Sequence, residues 1–320
     1  MKQVDFWQTK FNPVFAGRRV LVTGATGFVG GHLCRALIEL GAEVHGLARR
    51  ASESTLVPGC QPWAVDLMDA LAVQQALSEA QPHLVYHLAG LVTAHQDASL
   101  VLPMLQNNLL GAINLLLAAT KTECDRLILV GSSEEPAAGA TDPTPTSPYA
   151  AAKAATSLYA QMFHRVYGVP IVGVKPFVIY GSHQDVTKFI PYTILSLLRE
   201  EAPRLSSGKR VVDLVYIVDI VRGLLQVGIQ PGLEGKVMDL GTGQGTCLRD
   251  VVELLVELSN SQVTPLFGAV ADRLGEHPQI ADRDITRQLL DWEPLWSLRQ
   301  GLTETIGWYR SQQEDSRGKR

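Results

Sequence analysis

Residues 19–22 form a short apolar strand that runs into Thr23-Gly24-Ala25-Thr26-Gly27-Phe28-Val29-Gly30. The last of these glycines opens a helix that reads to Leu40 and is closed by Gly41; a second apolar strand, residues 42–47, follows at once. Few folds tolerate that order. A strand, a turn with Gly24, Gly27 and Gly30, a helix and a second strand make the unit that wraps a dinucleotide. The first glycine permits the tight turn, the second lets the backbone approach the pyrophosphate, and the third lets helix and strand pack closely. The free amides and dipole of the helix N-terminus then favour an anion.

The alternation continues. Apolar strands are expected at residues 61–65, 84–88, 127–130 and 169–174, with helices at 71–80, 105–119 and 149–167. Strands that alternate with helices give a parallel sheet covered on both faces, with right-handed crossovers. The expected fold class is therefore α/β, a Rossmann-type doubly wound parallel sheet with a smaller C-terminal substrate-binding region. Three parts follow from the pattern: a surface arm over residues 1–17, onto which Phe6 and Trp7 can fold back, a dinucleotide-binding domain over 18–180, and a looser region over 181–320. Segments of the last return to the main sheet, and the polar tail from Ser311 is expected to fray.

The second strand bears on which dinucleotide binds. A carboxylate there would accept the ribose 2′-hydroxyl, but the chain reads Gly46-Leu47-Ala48-Arg49-Arg50. Guanidinium forks suit a 2′-phosphate, so NADP(H) is favoured over NAD(H). Asp66, after the third strand, is a candidate acceptor for the adenine amino group. A later string, Gly241-Thr242-Gly243-Gln244-Gly245-Thr246, lacks the strand–helix–strand continuation and reads as a loop and helix cap.

Tyr149 and Lys153 lie four apart, on one face of a helix that Pro148 opens. An ammonium beside a phenol lowers the phenol pKa toward neutrality, so Tyr149 can exchange a proton with an alcohol or ketone oxygen. Lys153 can also hold the nicotinamide ribose. Ser133, in the Ser132-Ser133 pair after a buried strand, is the candidate that orients the reacting oxygen. With a net charge of −4 and a pI near 6.1 the chain has no basic footprint, which argues against nucleic acid. Apolar runs are expected to be too short to cross a membrane, and the N-terminus lacks a charged-then-apolar leader, so a cytoplasmic protein is expected. Cys34, Cys60, Cys124 and Cys247 are scattered, with no metal-ligand spacing.

Taken together, the glycine turn, His87-Leu88-Ala89-Gly90, Asn108-Leu109-Leu110-Gly111, Ser147-Pro148-Tyr149-Ala150-Ala151-Ala152-Lys153, Lys175-Pro176-Phe177-Val178-Ile179-Tyr180-Gly181, Val215-Tyr216-Ile217-Val218-Asp219 and Leu290-Asp291-Trp292-Glu293-Pro294 resemble the extended short-chain dehydrogenases/reductases, in their nucleotide-sugar epimerase/dehydratase group. The stretch from Val44 to Ser52 is similar to sugar-nucleotide 4,6-dehydratases of the GDP-mannose type. The resemblance implies an enzyme acting at C4 of a nucleotide-activated sugar through a transient ketone. It implies cofactor contacts from Thr26, Phe28, Val29, Leu67, Leu88, Ala89 and Pro176, and substrate contacts at Asn108, Val178, Arg210 and Arg273. It assigns Glu135 as the base for the C5 proton in a dehydration, and it implies a homodimer built on the helices at 105–119 and 150–167. Departures are visible. Pro136-Ala137 replaces the usual Tyr-Gly, Val178 replaces an asparagine, and Val212 replaces an arginine, which leaves Arg210 to serve. Two alternatives stay open: an NADPH-dependent reductase of a 4-keto sugar or other ketone, and a non-catalytic NADP-binding regulator.

Overall fold

The computed structural model describes residues 11–93, 95–137, 142–273, 275 and 277–318. A seven-stranded sheet has the order β10-β6-β5-β4-β1-β2-β3, with β1 at Arg19–Thr23, β2 at Glu43–Ala48, β3 at Gln61–Ala64, β4 at Leu84–His87, β5 at Arg126–Val130, β6 at Ile171–Pro176 and β10 at Val237–Leu240. The first six pair in parallel, with Val22 opposite Gly46 on one side of β1 and Tyr86 on the other. The strand order reverses at β1, and in open α/β sheets ligands bind beyond the strand C-termini at that point.

The helices of this unit are α1 (Phe28–Glu39), α2 (Ala70–Ala80), α3 (Ala98–Ala119) and α4 (Pro148–Tyr167). Leu21, Val85, Leu127, Leu129 and Ile171 of the sheet pack with Val73 and Leu77 of α2, Leu115 and Leu116 of α3 and Phe163 of α4 in one buried cluster. The two-residue alternation of a strand turns Tyr86 to the opposite face. There its hydroxyl donates to the Leu224 carbonyl at 3.2 Å, and a Cβ on Gly228 would meet it at 2.1 Å.

The chain divides into two compact units. The first comprises the chain up to Pro176 with Val221–Asp239 and Ile285–Trp292; the second comprises Phe177–Ile220, Leu240–Asp284 and Glu293–Arg320. The second unit contains β7 (Val178–Tyr180) parallel to β9 (Leu214–Tyr216), and β8 (Val211–Val212) antiparallel to β11 (Thr246–Cys247). The helix Leu248–Ser259 follows β11.

Three expectations need correction. Residues 11–15 are not a surface arm: they form a helical turn in which Phe11 and Phe15 are fully buried. Phe6 and Trp7 lie outside the described residues. The tail does not fray at Ser311, because the helix Leu298–Gly318 runs through it. Finally, α3 is long and apolar enough to cross a membrane, with a mean hydropathy of 1.5 over its most apolar window. Gln106, Asn107, Asn108 and Asn114 break its apolar runs in the sequence but do not lower the average enough. In the fold α3 packs against α2 and α4 as a covering helix of the sheet.

Candidate active site

A cleft of about 640 Å³ opens at the C-terminal ends of β1, β2, β3 and β4. Gly24, Thr26 and Gly27 line its floor, with Arg49 and Arg50 after β2, Asp66 and Leu67 after β3, and Leu88 and Ala89 after β4. Leu47, Ala48, Val65, Met68, Gly90, Leu91, Gln106, Asn107 and Gly111 complete the wall. Sequence reasoning named none of these as cofactor contacts: seven have no functional group to signal the role, and Gln106 and Asn107 come from α3, far along the chain from the glycine turn. Phe28, Val29 and Gly30 are not in the wall; they form the first turn of α1 behind it.

A dinucleotide fits this cleft. Gly24 has φ +70°, and a Cβ there would sit 2.9 Å from the Ala89 backbone. A Cβ on Gly30 would lie 2.1 Å from the Gly24 carbonyl oxygen, so the turn closes onto the helix only without side chains. Gly27 caps α1 with no side chain accepting from its first amides, and the first turn carries no acid. Amides and a helix dipole at such a terminus suit a bound anion. The second glycine string behaves differently. The Asp213 carboxylate accepts from the amides of Thr242 at 2.9 Å and Gly243 at 2.8 Å, so an internal anion already fills that turn.

Behind the cleft the ends of β1 and β4 are tied by Thr23 Oγ1, which bonds His87 Nδ1 at 2.8 Å and accepts from the Ala89 amide at 3.1 Å. Burial, and secondarily the Lys153 charge, push His87 down to about 3, so it is neutral. Ser147 caps α4 by accepting from the Ala150 amide at 3.1 Å, and Pro148 occupies the first turn. This start point sets the register of the next turns. Tyr149 packs on Met104 of α3 and Ala152, and Lys153 Nζ donates to the Val130 carbonyl at 2.7 Å.

The electrostatics differ from the sequence reading. Burial pushes the Tyr149 phenol up to about 12; the Ser132 hydroxyl, hydrogen-bonded to it, acts in the opposite direction, while Glu135 and Glu134 add to the rise. Lys153 falls to about 8 because it is buried, with Glu135 opposing the fall. Desolvation thus outweighs the mutual effect of the pair, and the phenol is protonated at neutral pH.

The structure also redistributes the polar residues after β5. The Ser132 hydroxyl acts to lower the Tyr149 phenol. The Ser133 amide is anchored on the Pro176 carbonyl at 3.2 Å, which also shows where Pro176 is engaged. Glu135 does not point into an open site. Its Oε1 accepts from the Ser132 amide at 2.7 Å, and its Oε2 accepts from Ser157 Oγ at 2.7 Å and pairs with Lys175. Asn108 is likewise used internally: Oδ1 accepts from the Leu91 amide at 2.7 Å and Nδ2 donates to the Leu91 carbonyl at 2.9 Å, inside the π-helical turn Leu105–Leu110 of α3. The remaining substrate candidates lie in the second unit. Val178 sits in β7 with its amide on the Asp213 carbonyl at 3.0 Å, Arg210 donates to Gln279 Oε1 at 2.8 Å, and Arg273 is exposed.

A glycine turn at the sheet's switch point, backed by a buried tyrosine and lysine on one helix face, defines a nicotinamide-dinucleotide enzyme of the short-chain dehydrogenase/reductase type. The model of the NAD dependent epimerase/dehydratase family matches residues 20–241, and the chain belongs to that family. The dTDP-glucose 4,6-dehydratase of Haemophilus influenzae is 28% identical to it, over 91% of this chain and 97% of its own. The crystal structure of Thermotoga maritima UDP-glucose 4-epimerase with UDP-glucose superposes with a TM-score of 0.85 at 26% identity, covering 92% of this chain and 99% of that one. The Thermus thermophilus UDP-glucose 4-epimerase complex with NAD gives 0.82 at 26% identity, over 91% and 99%. The fold and chemistry are those of an NAD(P)-dependent enzyme.

Proposed function

We propose that the protein acts at C4 of a nucleotide-activated sugar through a transient 4-keto intermediate, as an epimerase or 4,6-dehydratase. The observation that carries this reading is the buried Tyr149 and Lys153 on one face of α4, with Lys153 Nζ donating to the Val130 carbonyl at 2.7 Å. Bound in the cleft, the nicotinamide supplies reversible two-electron redox chemistry. The protein's own part is proton movement. Tyr149 Oη exchanges a proton with the C4 oxygen, Ser132 Oγ orients that oxygen and stabilises charge on Tyr149, and the Lys153 ammonium favours the phenolate. Once C4 is a ketone the C5 hydrogen is acidic, because the carbanion is delocalised into the carbonyl. Glu135 is the candidate base for the C5 proton if dehydration follows, and the half-buried Glu134 beside it is the alternative. Arg210 and Arg273 are proposed to bind the substrate diphosphate. The experiment is turnover of a panel of nucleoside-diphosphate hexoses, followed by NMR of the sugar. Ser132→Ala is expected to cost about 10²-fold in kcat and Ser133→Ala less than about threefold; equal losses would break the assignment.

The cofactor is proposed to be NADP(H). Arg49 and Arg50 line the cleft immediately after β2, where Ala48 stands in place of a carboxylate. Replacing both arginines by alanine should weaken NADPH binding by roughly 10- to 100-fold, the size of one or two charge-assisted hydrogen bonds, and leave NADH binding nearly unchanged. Titration calorimetry with the two nucleotides tests this.

A homodimer is proposed through α3 and α4. These neighbouring helices expose Val101, Leu102, Leu105, Leu158, Tyr159 and Val166, with Leu102 and Leu158 each 67% exposed. A continuous apolar face of that kind marks an interface more often than a solvated surface. Light scattering should give twice the 34.8 kDa chain mass.

A further inference from the structure

Glu135 carries one of the most enclosed carboxylates of the described residues, with 2% of its side chain exposed. Three partners hold it: the Ser132 amide at 2.7 Å, Ser157 Oγ of α4 at 2.7 Å and Lys175 Nζ of β6 at 3.2 Å. The approach depends on Gly131, where a Cβ would lie 2.3 Å from Glu135 Oε1. As a stabilising device this is expensive. Burying an ion pair costs desolvation on both sides, and apolar replacements of similar volume often stabilise as well or better. The position of the pair is more telling. Ser132 touches Tyr149, and Ser157 continues the α4 face of Tyr149 and Lys153 by one more turn.

We infer that Glu135 is a positioning residue: it fixes the Ser132 amide, and through it the hydroxyl against Tyr149, and it supplies the negative charge that offsets burial of the Lys153 ammonium. The inference rests on the proposed roles of Tyr149 and Lys153. The groups that face Lys153 are few. The Val130 carbonyl accepts from it, His87 of β4 is held neutral, Tyr149 shares its helix as a protonated phenol, and Lys175 reaches the far oxygen of Glu135. Burial lowers Lys153 to about 8, and the one charge that acts to raise it is Glu135. With that charge removed, Lys153 loses its proton at lower pH, and at pH 7 the ammonium that favours phenolate is depleted.

The test is a pH titration by NMR of the full chain carrying [ε-13C]lysine, with the Lys153 signal assigned by its absence in Lys153→Met. The wild type should titrate near 8, and Glu135→Gln about one pH unit lower. Glu135→Asp, which keeps the charge but draws it back on a shorter arm, should lower the midpoint by a measurable part of that shift, up to half. Ser157→Ala removes a partner without removing charge and should leave the midpoint within about 0.3 units, whereas a purely structural role would move it as Glu135→Gln does. An unchanged midpoint in folded Glu135→Gln overturns the inference. If that variant does not fold, Glu135→Asp decides: a lowered midpoint supports the inference and an unchanged one overturns it. No substrate is needed, so failure of the proposed reaction, seen as full turnover by Tyr149→Phe, is read separately.

Discussion

Tyr149→Phe is expected to lower kcat by about 10³-fold while nicotinamide-dinucleotide affinity stays within about twofold. The size follows from the loss of the one group placed to exchange a proton with the C4 oxygen, worth roughly 4 kcal/mol of barrier. Cofactor affinity is spared because the cleft wall is built from the glycine turn and the ends of β2, β3 and β4, and Tyr149 is not part of it. The substitution removes only an oxygen from a ring that stays packed on Met104 and Ala152. The phenol, pushed up to about 12, holds its proton at neutral pH, so the reductive half of the cycle starts from the stable protonation state. The oxidative half needs the phenolate and depends on Ser132 and Lys153. Initial rates with the active nucleotide sugar, set beside cofactor titrations of the same preparation, check both halves; equal loss of affinity and turnover would mean a structural role for the tyrosine.

The second large effect is expected at Gly30→Ala. The added Cβ would stand 2.1 Å from the Gly24 carbonyl oxygen and 3.0 Å from Ala25 Cα, both backbone atoms of the turn itself. Neither can rotate away, so α1 must move off β1 or the turn must open. Overpacking of this kind costs on the order of 3 kcal/mol. The displaced helix N-terminus no longer presents its amides to the pyrophosphate. A lowered melting temperature together with loss of NADP(H) binding is the expected result. Gly31→Ala, one residue along, is the control: its Cβ would meet nothing closer than 3.9 Å, and binding should persist.

What the amino-acid sequence revealed, and what it hid, follows from the range of the interactions. The glycine turn, the strands of the parallel sheet and the Tyr149/Lys153 face are local patterns, and each lies within a few residues of where the periodicity puts it. The polar cluster after β5 is not local. Ser132 and Ser133 are chemically alike, as are Glu134 and Glu135, and how each is engaged depends on where β5 ends and on Lys175 arriving from β6 to pair with Glu135. A one-residue shift decides the roles, and only a long-range partner sets it. Asn108 shows the same limit: its carboxamide is consumed by Leu91, which lies 17 residues away. The tyrosine and lysine pKa directions were also out of reach, because desolvation is a property of the packed site and not of the i, i+4 spacing. The helical turn that buries Phe11 and Phe15 reads in the sequence as part of a surface arm, because one turn containing Asn12 and Pro13 is too short to show a helical period.

The central claim is redox cycling at C4 of a nucleotide sugar, and the most direct measurement is the fate of deuterium at that carbon. The protein is incubated with NAD+ or NADP+ and C4-deuterated hexoses on each of the common nucleoside diphosphates, and the products are read by deuterium NMR and mass spectrometry. The account predicts one productive nucleotide sugar whose deuterium is recovered in the product sugar, at C4 with inverted configuration or at C6 with loss of water, and no net consumption of cofactor. Deuterium that stays on an unchanged sugar across the whole set, while the same protein consumes NADPH with a simple ketone, would contradict it.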